Sequence, residues 1–552
     1  MIEMKKFSFW YPGREAPSLD HVSLTIGTGE FVLLTGPTGC GKSTLLKCLN
    51  GIIPHLSGGK SQGEVTLGGR ATRKMTMAEL SSQVGLVQQS PDDQIFATSI
   101  QDEVAFGPEN LCLPREEIEN RLAWALQAVD LGSCRPGSTA ALSGGQKQRL
   151  AIAAMLALQP RVLALDEPIS QLDPQGAGEV MAVIRKLNRE YGVTVVMVEH
   201  RIHEAAQYAD RIVVMNGGKL VFDAPVREAM TQAELFVNMG LRLPETVEIC
   251  RRLKRGQVAM TVRETVDILK PGGFKKRAPS PVGSMPATVG APVLEIEDLF
   301  YKYSKKDRPV LNGINVTIRR GERVAVMGRN GAGKSTLLAH MAGLLVPRQG
   351  TVKVAGAIIT HKQKLPLGTV GLVMQNPDLM LFQSSVRREV EFGLRNLKTT
   401  PSVMNERYSQ AVQGLALTGL QDDPPLSLSR GQRLRTAIAA IVAMRPEMMF
   451  LDEPTTGQDK RNIENMMSAL VDQVETLVFC THDIETALAY ATRVIVLDEG
   501  CIAADNVPRK VFADASLLDR SGLKPTQSWL VGRELGLHDV FSPRELEGKW
   551  IC

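Results

Sequence analysis

Short apolar runs recur along the chain: Phe31-Val32-Leu33-Leu34-Thr35, Val162-Leu163-Ala164-Leu165 and Val193 to Val198, then Arg323-Val324-Ala325-Val326-Met327, Met448-Met449-Phe450-Leu451 and Thr476 to Cys480. Runs this short, apolar on both alternating faces, predict strands buried on both sides, as in parallel sheets covered by other layers. Ser43 to Leu49 and Ser335 to Met341 read as helices that follow the first run of each set after a glycine-rich turn. Strands alternating with helices predict an α/β fold with a mainly parallel core sheet, and ligands at the carboxyl ends of its strands.

The pattern occurs twice. Sliding the sequence on itself by just under 300 residues aligns Gly36 with Gly328, Gln89 with Gln375, Ser143 with Ser429, Asp166 with Asp452 and His200 with His482, a duplication at domain scale. A chain of 552 residues is too long for one core. The expected division is a first domain at 1–265, a linker at 266–291 and a second domain at 292–552. From Lys270 to Pro292 the chain is rich in Pro, Gly, Ser and Lys without hydrophobic period, so a flexible tether is expected there.

Charge and cysteine content exclude more than they suggest. The net +5 arises from 64 basic and 59 acidic residues spread along the chain, which gives no support to a nucleic-acid role. Eight cysteines are neither dense nor paired at metal-type spacings, so reduced thiols are expected. No apolar run reaches about 18 residues and no charged-then-apolar leader follows Met1, so neither a membrane span nor a secretory signal is expected. Any membrane role then comes through partners.

The candidate chemistry lies at the ends of the apolar runs. Gly36-Pro37-Thr38-Gly39-Cys40-Gly41-Lys42-Ser43-Thr44 and Gly328-Arg329-Asn330-Gly331-Ala332-Gly333-Lys334-Ser335-Thr336 are phosphate-binding loops. Their glycines allow backbone N–H groups to wrap a triphosphate, Lys42 and Lys334 reach its outer phosphates, and Ser43 and Ser335 offer hydroxyls to Mg²⁺. Asp166 and Asp452 close later strands, where a carboxylate can hold Mg²⁺, and Glu167 and Glu453 follow, where a second can orient attacking water. His200 and His482 end further strands and could contact the terminal phosphate. Gln89 and Gln375 sit in loops from which an amide could reach metal or water. Ser143-Gly144-Gly145-Gln146 and Ser429-Arg430-Gly431-Gln432 precede helix-forming stretches, and a serine cap with glycine amides at a helix start makes a second anion site.

This order of motifs resembles the nucleotide-binding domains of ABC transporters, and it covers nearly the whole chain twice. The resemblance implies two P-loop ATPase domains, each with an antiparallel β subdomain and a helical signature subdomain beside the core sheet. It implies an intramolecular domain dimer in which each ATP, with Mg²⁺, is clamped between one domain's P-loop and the other's signature. It also implies adenine stacking on Tyr11 and Tyr303, with Trp10 an alternative to Tyr11, and cross-domain loops after Asp173 and Asp459. A narrower likeness, to the ATPases of energy-coupling-factor importers, rests on Ser90 to Ile100 with Asp102 to Asn110, repeated more loosely from Asn376 to Gly393. Related stretches at Gly240 to Pro244 and Gly522 to Pro525 add to it. That likeness implies a membrane coupling protein, a substrate-binding membrane subunit, and a peripheral place on the cytoplasmic face of the membrane. A conventional sugar-type importer and a soluble tandem ATPase acting on ribosomes are the competing readings.

The signatures differ, Leu142-Ser143-Gly144-Gly145-Gln146 against Leu428-Ser429-Arg430-Gly431-Gln432. In the implied pairing, the site of Lys334, Glu453 and Ser143 is expected to be the main hydrolytic one. The site of Lys42, Glu167 and Ser429 is expected to turn over more slowly, because Arg430 adds a side chain where close backbone approach is expected.

Overall fold

The computed structural model describes residues 1–274, 290–304, 308–362 and 365–551. Most of the expected tether, 275–289, lies outside the described residues. The chain divides into two compact units, Met1–Leu269 and Lys270–Cys552.

In the first unit a six-stranded sheet runs in the order Lys219–Pro225, Arg211–Asn216, Phe31–Thr35, Thr194–Val198, Val162–Asp166, Val84–Val87. All neighbours are parallel except the first pair. Alternate residues of the central strands enter separate cores. Phe31, Leu33, Leu163, Leu165, Val195 and Met197 pack against helices, whereas Val32, Leu34, Ala164, Val196 and Val198 pack beneath a second sheet. With both faces covered, polar residues are confined to strand ends, which is why these strands read as unbroken apolar runs.

The second sheet is antiparallel, in the order Leu19–Ile26, Ile2–Trp10, Lys60–Leu67, Arg70–Ala71. Met4 faces Leu24 on one side and Val65 on the other. The helix Lys42–Leu49 fills the space between the sheets with Leu45, Leu46 and Leu49. The opposite layer includes Ile100–Asn110, Arg115–Ala128, Gly144–Leu156 and Pro174–Arg189.

The second unit repeats this plan, with a six-stranded sheet ordered Val370–Val373, Met448–Asp452, Thr476–Cys480, Arg323–Met327, Arg493–Asp498, Cys501–Asn506. Its antiparallel sheet contains Leu311–Arg319, Pro292–Tyr301, Gln349–Val354 and Ala357–Ile358. One further ladder pairs Gly273–Phe274 with Trp550–Ile551. Phe274 meets the Trp550 ring edge-on at 4.7 Å, and a Cβ on Gly272 would lie 1.9 Å from that indole. Among the described residues no helix is long and apolar enough to cross a membrane, and the cysteines Cys40, Cys48, Cys112, Cys134, Cys250, Cys480 and Cys501 are free.

Candidate nucleotide sites

Each glycine-rich loop leaves the central strand of its six-stranded sheet and runs into a helix, Lys42–Leu49 or Lys334–Met341. The helices start one residue earlier than the sequence predicts. Gly41 and Gly333 precede them with φ of 104° and 99°, a backbone conformation open to glycine and costly for other residues. A Cβ on Gly36 or Gly328 would approach Met215 O or Leu497 O to 2.1 Å, so these turns also need glycine for space.

Lys42 is buried, and its Nζ donates to the carbonyls of Gly36 and Pro37 at 2.9 Å each. Lys334 does the same with Gly328 at 2.8 Å and Arg329 at 3.1 Å. Both ammonium groups therefore lie folded against the loop that would surround a phosphate. Cys40 is buried beside Lys42, with burial pushing its thiol pKa up.

Asp166 comes within reach of the P-loop helix, its Oδ1 accepting from Ser43 Oγ at 3.1 Å. Burial, with the charge of Glu167 next to it, pushes the Asp166 carboxyl up to about 6. Burial also raises Asp452, which a hydrogen bond from Ser335 opposes. Asp452 Oδ1 is buried and finds no hydrogen-bond partner among the described residues. Buried acids of this kind, each beside a P-loop serine, fit a divalent cation, whose charge would offset the desolvation that raises them.

Glu167 and Glu453 adopt left-handed backbone, φ 48° and 50°, uncommon for a residue with a side chain and of the kind that collects at functional sites. Their own amides fix the turn, donating to Val198 O at 3.0 Å and Cys480 O at 3.2 Å on the neighbouring strand. That turn sets each glutamate against the matching histidine. His200 Nε2 lies 3.0 Å from Glu167 Oε1, and His482 Nε2 lies 2.9 Å from Glu453 Oε1.

Beyond this shared core the two units differ. Gln89 Nε2 donates to Glu167 Oε2 at 2.6 Å, whereas Gln375 is exposed. His482 Nε2 also lies 3.0 Å from Asn330 Oδ1 and 3.4 Å from Lys334 Nζ, and Lys334 is 3.9 Å from Glu453. Glu199, which precedes His200, is a residue that motif reasoning missed. Its fully buried carboxylate accepts N–H groups from Ile169 at 3.3 Å, His200 at 2.8 Å and Arg201 at 3.0 Å. Burial and the charge of Glu167 push it up to about 7. The corresponding Thr481 instead meets the hydroxyl of Thr455 at 3.3 Å and the N–H of Asp483 at 3.0 Å.

Ser143 and Ser429 cap Gly144–Leu156 and Arg430–Val442 through matching capping boxes with Gln146 and Gln432. Gly145 and Gly431 follow in the first turn of these helices. A Cβ on Gly144 would make only ordinary contact, 3.5 Å from Leu172, so an arginine at the matching position 430 needs no strain within its own unit. Tyr11 and Tyr303 place their hydroxyls 3.3 Å from Thr44 and 3.0 Å from Thr336, at the start of the P-loop helices. Asp173 and Asp459 cap the Pro174–Arg189 and Lys460–Gln473 helices.

A family profile described as ABC transporter matches residues 19–170 and 311–456. A Methanosarcina acetivorans chain is 47% identical over 583 aligned positions, covering 99% of this chain and 90% of the other. The chain belongs to the ABC transporter family. A Methanosarcina mazei relative is likewise 47% identical, over 99% of this chain and 95% of its own, and both relatives are provisionally named ABC transporter ATP-binding proteins. Among solved structures, cbiO1 from Clostridium perfringens, described as part of the ABC transporter complex cbiONQ, aligns at 30% identity and a TM-score of 0.40, covering 45% of this chain and 98% of that one. This tandem ABC ATPase thus carries two P-loop domains that bind ATP with Mg²⁺ and hydrolyse it.

Proposed function

We propose that this ABC ATPase energises uptake of a small nutrient, a vitamin or a transition-metal ion, through separate membrane subunits on the cytoplasmic face. In this reading each ATP lies between the P-loop of one domain and the signature of the other. Lys42 and Lys334 would hold phosphate, Ser43 with Asp166 and Ser335 with Asp452 would hold Mg²⁺, and the amides of Gln89 and Gln375 would reach metal or water from their loops. Bound Mg²⁺ supplies charge neutralisation at the phosphates. Glu167 and Glu453 orient the attacking water by accepting its hydrogen bond, and His200 and His482 hold those glutamates in place. The Arg430-containing signature serves the slower site.

The observation that carries the membrane-partner reading is an exposed aromatic pair present once in each unit. Phe96 and Phe106 are 62% and 47% exposed with ring centroids 4.4 Å apart. Phe382 and Phe392 are 63% and 41% exposed and 4.8 Å apart. Large apolar side chains held in the open mark interaction surfaces, and these are held firmly. Buried Glu103 accepts from the amides of Phe96 at 3.0 Å and Ala97 at 2.8 Å, and Glu389 from those of Phe382 at 2.9 Å and Gln383 at 2.8 Å. Each platform is tied to its signature helix, Lys147 to Asp92 at 2.6 Å and Arg433 to Asp378 at 3.1 Å. Contact at the platform therefore has a short mechanical route to the nucleotide machinery.

Co-purification tests this reading. The native chain is expected in detergent extracts of membranes with an integral-membrane protein, and the variant Phe96→Ala, Phe106→Ala, Phe382→Ala, Phe392→Ala is expected to lose it. Sedimentation with ribosomes and none with membranes would reject it.

A further inference from the structure

The helices carrying Phe106 and Phe392 share a scaffold and differ in the charges around it. In Ile100–Asn110, exposed Phe106 has exposed Asp102 four residues before it and exposed Glu109 three residues after it. In Val386–Asn396 the matching exposed residues around Phe392 are Arg388 and Arg395. Side chains at these spacings share a helix face, so one aromatic pair is bracketed by carboxylates and the other by guanidiniums. The preceding turn differs as well, with exposed Asp93 where the second unit has Leu379, 71% exposed.

Local pairing does not cancel the contrast. Arg395 pairs with Glu391 at 2.7 Å, yet its side chain stays 62% exposed while that of Glu391 is 9% exposed. The Arg388 guanidinium donates to a neutral hydroxyl, Ser384 Oγ, at 3.1 Å. The outward face of the first platform is therefore acidic and that of the second basic.

We propose that the two platforms take chemically unlike helices of one membrane-embedded partner. The helix on the first unit carries Lys or Arg beside its apolar face, and the helix on the second carries Asp or Glu. This rests on the reading of the aromatic pairs as docking platforms. Opposed charge draws in the correct helix, and like charge set against like charge disfavours the exchanged one. The partner is thereby seated in one orientation on the fused chain.

Two synthetic amphipathic helical peptides with one common apolar face, flanked by Lys in one and by Glu in the other, test the proposal on the full chain. Binding is read by fluorescence anisotropy at low and high salt. The Lys peptide should weaken about tenfold or more with Asp102→Lys, Glu109→Lys and remain unchanged with Arg388→Glu, Arg395→Glu; the Glu peptide should behave in reverse, and added salt should shrink both contrasts. The altered side chains are exposed, so these variants are expected to keep the native fold. Equal response of both peptides to both charge swaps overturns the proposal, as does binding of neither peptide to the native chain. If Phe106→Ala and Phe392→Ala abolish binding while the charge swaps do nothing, the platforms stand and the unequal charge preference falls. If the alanine variants leave both peptides bound as before, the platform reading itself falls.

Discussion

Glu199 shows what a buried carboxylate does to the segment that carries His200. By gathering the N–H groups of Ile169, His200 and Arg201 it ties the strand that ends in the histidine to the loop that follows Glu167. Its folded pKa of about 7 lies above the ordinary carboxylate range, so the folded state keeps a proton that the unfolded chain releases near pH 4.5. The stability this proton confers is present at acid pH and is lost as pH rises toward about 7. Glu199→Gln cannot titrate, so its stability relative to the native chain should rise between pH 5 and pH 8, by up to about 3 kcal/mol. Chemical denaturation across that range measures it, and parallel pH profiles would contradict it. The P-loops and the Asp166-Glu167 and Asp452-Glu453 pairs at the strand ends were legible from residue order alone, because close backbone approach demands glycine and an acid pair that ends an unbroken apolar run in both copies stands out. Glu199 was not, since a carboxylate after an apolar strand reads as a surface group until its three amide partners are known. Comparing the copies would have pointed to it: Glu199 and Thr481 differ just before two matched histidines.

The signature helices carry the same lesson one level up. Their starts were legible, because Ser143 and Ser429 stand three residues ahead of Gln146 and Gln432, the spacing of a capping box. What Arg430 does was not legible, since its effect depends on the surface it faces in the proposed pairing. The ordinary Cβ environment of Gly144 makes exchange of the two residues a clean test. Gly144→Arg should leave the first unit as stable as before, or gain up to about 1 kcal/mol from better helix propensity, while steady-state ATPase falls about tenfold or more. Arg430→Gly should raise or preserve turnover. Equal and small effects from both exchanges, with unfolding curves unchanged, would remove the case for unequal sites. The motif likeness at Ser90 to Asn110 gave no sign that Phe96 pairs with Phe106. The two residues belong to different elements, and buried Glu103, on the helix of Phe106, holds the amides of Phe96 and Ala97 beside it.

At the scale of the molecule, each unit has its own paired cores, one on either side of its six-stranded sheet. Units made separately as 1–269 and 270–552 are therefore expected to fold, each with a cooperative thermal transition. In the proposed pairing neither holds a complete site, so each alone should show only a few per cent of native ATPase, and mixing them with ATP should restore a large part of it. Full activity in either unit by itself, with sedimentation showing it monomeric, would rule out shared sites. The two-domain plan was legible because duplication writes itself into sequence at a fixed offset, and the core strands because burial on both faces leaves no room for polar residues. The ladder between Gly273–Phe274 and Trp550–Ile551 left no such mark, since two-residue strands far apart in sequence carry no periodicity. Its consequence is practical: a reporter fused after Ile551 would be carried back to the point where the second unit begins. A fluorophore there would sit beside Gly273–Phe274 and report on the first strand of the second unit.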